Sequence, residues 1–177
     1  MCSNLASSKG QSLLEVIVVV AVGVVVVSSL VFATIASLRN AQFAQNQNKA
    51  TKLAQEGIEG VRSARNRSGV IKGLFTADVT WEDARFWQPT SIVGTCASPC
   101  YFRLVNSYEL NWLSAGSSDS KLPVNAEVLD TQFKRAVILA DDGNLANSKK
   151  VTVVVTWTDF AGDHESRLST ILRNLNQ

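Results

Sequence analysis

The sequence predicts an α+β protein: a long N-terminal helix, apolar in its first half and amphipathic in its second, packed on a C-terminal antiparallel β-sheet. Three observations lead there. Residues 16–38 carry no charged side chain, residues 39–67 place apolar or small side chains at helical spacing, and the last third holds three apolar-rich runs separated by turn signals.

The bulk properties bound the reading. A chain of 177 residues allows one domain of ordinary size plus an extension, which excludes a multidomain enzyme. Hydrophobic residues make up 46% and charged residues 18%, too apolar for a disordered chain yet with charge enough for a water-facing part. The net charge of +2, from 17 basic and 15 acidic residues, demands neither nucleic acid nor an anionic surface.

The run from residue 16 to residue 38 is dominated by Val, Ile, Leu and Ala, with Gly23 its only helix weakener. At about 1.5 Å per residue, such a helix reaches roughly 35 Å and crosses a hydrocarbon core of about 30 Å. The valine clusters 18–20 and 24–27 favour strand in water, so propensity and length disagree. Lipid resolves the conflict, because a lone strand cannot satisfy its backbone groups in hydrocarbon and a helix can. A secretory signal has a short apolar core followed by a small-residue cleavage site. Here the run is too long, and the conspicuous small residue, Gly10, stands before it.

Glu15 lies just inside this apolar helix, where an acid costs up to about 2.5 to 3.5 kcal/mol at the membrane centre and less near an end. By itself it reads as a carboxylate resting among headgroups. The order Lys9-Gly10, Gln11-Ser12-Leu13-Leu14, Glu15 and a long apolar run resembles the type IV prepilin signal. In that family a membrane aspartyl protease cuts after the glycine, the new N-terminus is methylated, and the fifth mature residue is a glutamate. Gly10 and Glu15 match position by position, across roughly the first fifth of the chain. Two departures stand: Gln11 takes the place where the family usually has Phe, and the apolar helix has no proline.

The resemblance implies residues 1–10 as a leader, 11–38 as a membrane and filament-core helix, 39–67 as its amphipathic continuation and 68–177 as the globular domain. It implies a minor pilin, with other pilin subunits, a prepilin peptidase and the membrane as partners. Its place would be the plasma (inner) membrane as a single-pass protein, then a filament outside the cell or in the periplasm. Cleavage creates an amine four residues from Glu15, and the two charges can compensate each other between staggered neighbours or across one helical turn. Removal of the leader also takes away Cys2, which no apolar stretch precedes as a lipoprotein signal would require.

Within residues 39–67, Phe43, Ala50, Leu53, Ala54, Gly57, Ile58, Val61 and Ala64 form the apolar stripe, expected to cover a sheet. The stretch 53–66 also resembles one found in minor pilin-like proteins at this distance from the cleavage site. Asn66-Arg67-Ser68 fits a glycosylation triplet, a pattern common by chance.

Residues 68–132 are irregular in period, with short strands expected at 101–105 and 127–129, a turn around 115–119, and Trp81, Trp87 and Trp112 as core or rim aromatics. Cys96 and Cys100 are close enough to pair across a tight loop in an oxidising compartment and stay free thiols otherwise. With one histidine in the chain they fall short of a zinc site. Strands are expected at 133–140, 151–158 and 164–172, separated by turns at 141–144 and 159–163. Val151, Val153, Val155 and Trp157 share one face, a natural seat for the helix stripe. The acids of the two turns suit calcium by type, yet the turns lie at opposite ends of one strand, roughly 20 Å apart.

No enzyme motif emerges. A tethered hydrolase using Cys100 or His164 lacks paired nucleophile, base and orienting groups, and His164 is expected as a surface residue. No cofactor, metal or specific nucleic-acid partner is implied. The readings that remain are a pilin, a pseudopilin of a secretion or DNA-uptake system, the same fold with the 96–100 loop as an adhesive tip, and an anchored ectodomain that never assembles.

Overall fold

The computed structural model describes residues 9–92, 95, 96, 99–106, 109–113, 122, 123, 125–143 and 147–174. The expected leader as far as residue 8, the turn at 115–119 and Asn144 lie outside the described residues. The elements are α1 (Lys9–Asn66), β1 (Val70–Lys72), β2 (Val79–Thr80), α2 (Ala84–Trp87), β3 (Cys100–Asn106), β4 (Glu109–Leu113), β5 (Glu127–Val128), β6 (Phe133–Asp141), β7 (Ser148–Asp159) and β8 (Gly162–Arg173). The chain divides into two compact units, Met1–Ala44 and Gln45–Gln177, and α1 contributes to both.

In the first unit α1 leaves its large apolar side chains, Leu13 through Leu38, exposed. Within the valine-rich stretch the hydroxyls of Ser28, Ser29 and Thr34 donate back to the carbonyls of Val24, Val26 and Val31. The polar groups of this segment are thereby satisfied inside the helix itself, as a lipid-facing helix requires.

In the second unit the strands form one sheet in the order β2-β1-β4-β3-β6-β7-β8, with β5 also paired to β6. All pairings are antiparallel except β1 with β4. The period of two in β7 works as the sequence indicates: Val151, Val153, Val155 and Trp157 are all buried, and they join Ala50, Ala54, Ile58, Val61 and Ala64 of α1 in the main core. The stripe starts at Ala50, since Phe43 is exposed and belongs to the first unit. A smaller core of Leu122, Ala126, Ala136 and Val154 covers the opposite face of the sheet.

The helix ends by a defined device. Gly69 N donates to Ala64 O at 2.7 Å and Ser68 N to Arg65 O at 3.2 Å, with Ser68 left-handed at φ 54°. This is the Schellman arrangement, and it turns the chain directly into β1.

The segment 68–132 holds more structure than its period reveals: β1, β2, β4 and α2 join the two expected short strands. Asp83 caps α2, accepting from Arg85 N at 2.9 Å, and Phe86 and Trp87 are buried. Trp87 Nε1 donates to Trp81 O at 2.6 Å, closing a cluster in which Trp81 and Phe86 stand 5.0 Å apart edge to face.

Two glycines set the distance between helix and sheet. A Cβ on Gly57 would meet Val153 Cγ1 at 2.8 Å and Arg135 Cδ at 3.1 Å, and one on Gly60 would overlap Leu104 Cδ2. Replacing Gly57 by Ala improves helix propensity by up to about 1 kcal/mol, whereas crowding a packed core costs about 1 to 3 kcal/mol. Gly57→Ala should therefore lower stability, and Gly57→Val should lower it further. Thermal melts followed by the far-ultraviolet signal of the sheet will read this, and an unchanged melt in both variants would show a looser seat.

Candidate functional site

Residues 9–15 form the first turns of α1, so Gly10 and Gln11 lie in helical backbone and residue 11 stands one turn ahead of Glu15 on the same face. In the uncleaved chain the Glu15 carboxylate makes no hydrogen bond or ion pair among the described residues, and its side chain is exposed. Glu15 is the one acid in a surface of exposed Leu, Ile and Val side chains.

The cysteines lie in the second unit. Cys96 and Cys100 are joined as a disulfide with Cα atoms 6.0 Å apart, Cys100 beginning β3 opposite Leu139 of β6. Both belong to the main core and are buried. The two cysteines are therefore buried in the core, while Pro99 between them is exposed. The sequence hid this because a polar, Pro-containing loop gives no periodic sign of which side it buries.

Two charged side chains that the sequence reading passed over sit on the helix-facing side of the sheet. Arg135 is buried, donates to Glu127 through Nε and Nη2 at 2.9 and 3.0 Å, and reaches Leu53 O of α1 at 3.1 Å. Lys149 is 1% exposed; its Nζ donates to Gln88 O and Ser91 Oγ at 2.9 Å each and pairs with Asp141. Asp141 in turn accepts from Ile92 N at 3.1 Å, so the pair fastens the 88–92 loop to the end of the β6-β7 ladder. The signal was present, because Lys149 has the phase of Val151 and Val153, and Arg135 that of Phe133 and Val137.

His164 is half-buried, with its side chain 24% exposed. It stacks on Trp157 at 5.4 Å, and its Nε2 lies 2.9 Å from Asp159 Oδ1. The reason is register: His164 is the cross-strand partner of Trp157 and so takes the core side of β8. In the same turn Ala161 N donates to Asp159 Oδ1 at 2.8 Å and Thr158 Oγ1 to Asp163 Oδ1 at 2.6 Å. These contacts use the turn carboxylates as local structure, and among the described residues no group of three His, Cys, Asp or Glu side chains could hold a metal.

Burial pushes the Asp159 carboxyl up, but the hydrogen bonds from Ala161 N–H and His164 outweigh it and hold the group below the ordinary carboxylate range. Asp130 is held low as well, first by its hydrogen bond from Lys49, 2.8 Å away, and then by Thr131 N–H. Carboxyls lowered on folding stabilise the fold above their unfolded value of about 3.9, and this contribution disappears as pH falls through the lower folded values. Asp159→Asn and Asp130→Asn should accordingly reduce the melting temperature at pH 7 and converge on the parent chain near pH 2. A difference that persists undiminished into acid would assign these residues a role other than charge.

In comparisons with known proteins, no family model, no curated protein and no solved structure matches this chain. What the fold defines is an α+β protein with one N-terminal helix long and apolar enough to cross a membrane.

Proposed function

We propose that this chain is a structural subunit, a minor pilin, of a type IV pilus-like filament, anchored by α1 in the plasma (inner) membrane until assembly and processed after Gly10. One observation carries the reading: α1 exposes an apolar surface from Leu13 to Leu38 broken by a single acid, Glu15, five residues beyond Gly10. Such a surface, far beyond the patches a soluble monomer leaves bare, calls for lipid or for other helices. A subunit that moves from membrane to filament exchanges one cover for the other.

Glu15 then has a function that an ordinary anchor does not need. The amine freed at Gln11 of one subunit meets the Glu15 carboxylate of its neighbour, and the requirement that two charges compensate where water is scarce fixes the axial register. An anchored ectodomain has no use for this pair and no need of cleavage.

Intact-mass measurement of assembled protein should give a chain beginning at Gln11; Met1 to Gly10 still attached in assembled material would sink the proposal. Glu15→Leu and Glu15→Ala should insert normally, since the apolar run still spans the bilayer. Their incorporation should fall, because breaking a buried pair costs about 3 to 5 kcal/mol. The ratio of variant to parent protein in sheared filaments, at matched membrane levels, measures this; equal incorporation of both variants would leave Glu15 an interfacial carboxylate.

The Cys96–Cys100 bond is proposed to form in the exported domain. Alkylation of freshly isolated protein before reduction should leave both residues unlabelled. Quantitative labelling of both would mean that the core holds free thiols.

A further inference from the structure

Turn chemistry gives no reason for a phenylalanine at the tip of the β7-β8 hairpin. The strands pair as far as Asp159 opposite Gly162, so Phe160 and Ala161 alone form the turn. Two-residue turns favour Asn, Asp and Gly, which tolerate the backbone they require. Here the neighbours meet that requirement: Asp159 Oδ1 accepts from Ala161 N at 2.8 Å, and Gly162 takes φ 118°. Thr158 Oγ1 braces the turn by donating to Asp163 Oδ1 at 2.6 Å. Phe160 itself is 59% exposed and belongs to neither hydrophobic core of the sheet. A fastened turn thus holds a large apolar ring outward.

The tip lies at the end of the second unit where α1 enters it. Thr51 Oγ1 stands 3.4 Å from Ser166 Oγ, Arg62 Nη2 donates to Thr170 Oγ1 at 3.2 Å, and Arg65 Nη1 to Arg173 O at 3.4 Å. Helix and β8 therefore run side by side in the same direction. Counting back from the first of these contacts, β8 extends about 13 Å from Ser166 to Gly162, and α1 about 9 Å from Thr51 to Gln45, where the unit begins. The hairpin tip reaches at least as far as Gln45. Lys49, 2.8 Å from Asp130, brings the turn between β5 and β6 to the same pole. From Gln45 only residues 39–44 lead back along α1 to Leu38, the end of the uncharged run, a helical rise of about 10 Å. The headgroup layer on each side of a bilayer is about 5 to 7 Å thick.

We infer that Phe160 seats the β7-β8 tip in the headgroup–acyl boundary of the membrane that α1 spans, giving the domain a second lipid contact. The inference rests on the anchored state proposed above and is independent of processing and of filament assembly. An aromatic ring on a braced turn suits this layer, where apolar surface is buried while the backbone stays in contact with water. The neighbouring acids set the kind of lipid. Asp159 is engaged by Ala161 N and His164, while Asp163, exposed beside the tip, repels an anionic surface. The contact therefore draws on apolar burial and takes a zwitterionic surface. Two points of contact fix how the domain stands on the membrane before it meets a partner subunit.

The test places a reporter at the tip. The full chain and its Phe160→Trp and Ile171→Trp variants are reconstituted into phosphatidylcholine vesicles, with and without lipid brominated at the upper acyl carbons. Ile171, 52% exposed near the other end of β8, serves as the control. Emission added by Phe160→Trp should lie to the blue of that added by Ile171→Trp. It should be quenched by about half or more in brominated vesicles, since a ring seated at the headgroup–acyl boundary lies among the bromines. Emission added at residue 171 should be quenched little. Unchanged thermal melts will establish that the variants fold; should Phe160→Trp misfold, Ala161→Trp reports from the same turn and should behave alike. Flotation of the parent chain with the vesicles is measured first. A chain that fails to float overturns the anchor, and this inference with it. A floating chain whose tip emits as in water and resists quenching overturns this inference alone, leaving the tip to solvent or to a partner subunit. Quenching that appears only when phosphatidylglycerol is added would show an electrostatic contact and overturn the apolar one.

Discussion

Everything in the second unit depends on how closely α1 lies on the sheet. The helix presents Ala50, Ala54, Gly57, Gly60, Val61 and Ala64 to the strands, a face of small side chains. Small residues let the backbone approach until Val153 and Leu104 fill the space that side chains on the helix would otherwise take. The larger apolar volume comes from the sheet, through Phe102, Phe133, Leu139 and Trp157. Dispersion and burial both reward this closeness, and an interior packed at crystal density has no slack to absorb a misplaced methyl group.

That closeness also explains the buried charges. Arg135 lies under the helix because Gly57 leaves room for its stem, and there it reaches the Leu53 carbonyl while Glu127 holds its other nitrogens. Lys149 performs the same office at the far end of the ladder, where its ammonium gathers the Gln88 carbonyl, the Ser91 hydroxyl and Asp141. Pairs of this kind add little net stability over apolar residues of equal volume, but each tolerates only one arrangement of its partners. They fasten, respectively, the helix and the α2 loop to one register of the sheet.

The parts of this design that were legible in the sequence are those with a long period. Residues 16–38 announce a helix by composition and length, and β6, β7 and β8 by alternation and by the turns between them, each boundary within a few residues of the structure. What stayed hidden was non-local. β1 has three residues and exists as a strand because β4 runs parallel beside it. β4 reads irregularly because Leu113 is covered on the sheet's second face while Trp112, on the helix side, is left partly exposed. The stacking of His164 stayed hidden because its partner Trp157, seven residues earlier, decides which face it takes. Gly10, Gln11 and Glu15 were legible as a spacing, whereas the network around Lys149 arises only once β6, β7 and the 88–92 loop are brought together.

The connectivity of the core has a consequence for the order of events in time. The apolar stripe at residues 50–64 shares its core with Ile71, Val79, Trp81, Phe86 and Trp87 from nearer in the chain, but much of that core comes from strands between residues 102 and 172. Contacts so distant along the chain form late, because the intervening loop must be closed before any of them is rewarded. A chain emerging N-terminus first therefore carries part of its helix stripe bare until the final hairpin, with Val151, Val153, Val155 and Trp157, arrives. The last hairpin, β7-β8, thus acts as the signal of completeness: a chain that stops short of it leaves apolar surface of the stripe without the valines and tryptophan of β7, open to whatever quality control patrols its compartment.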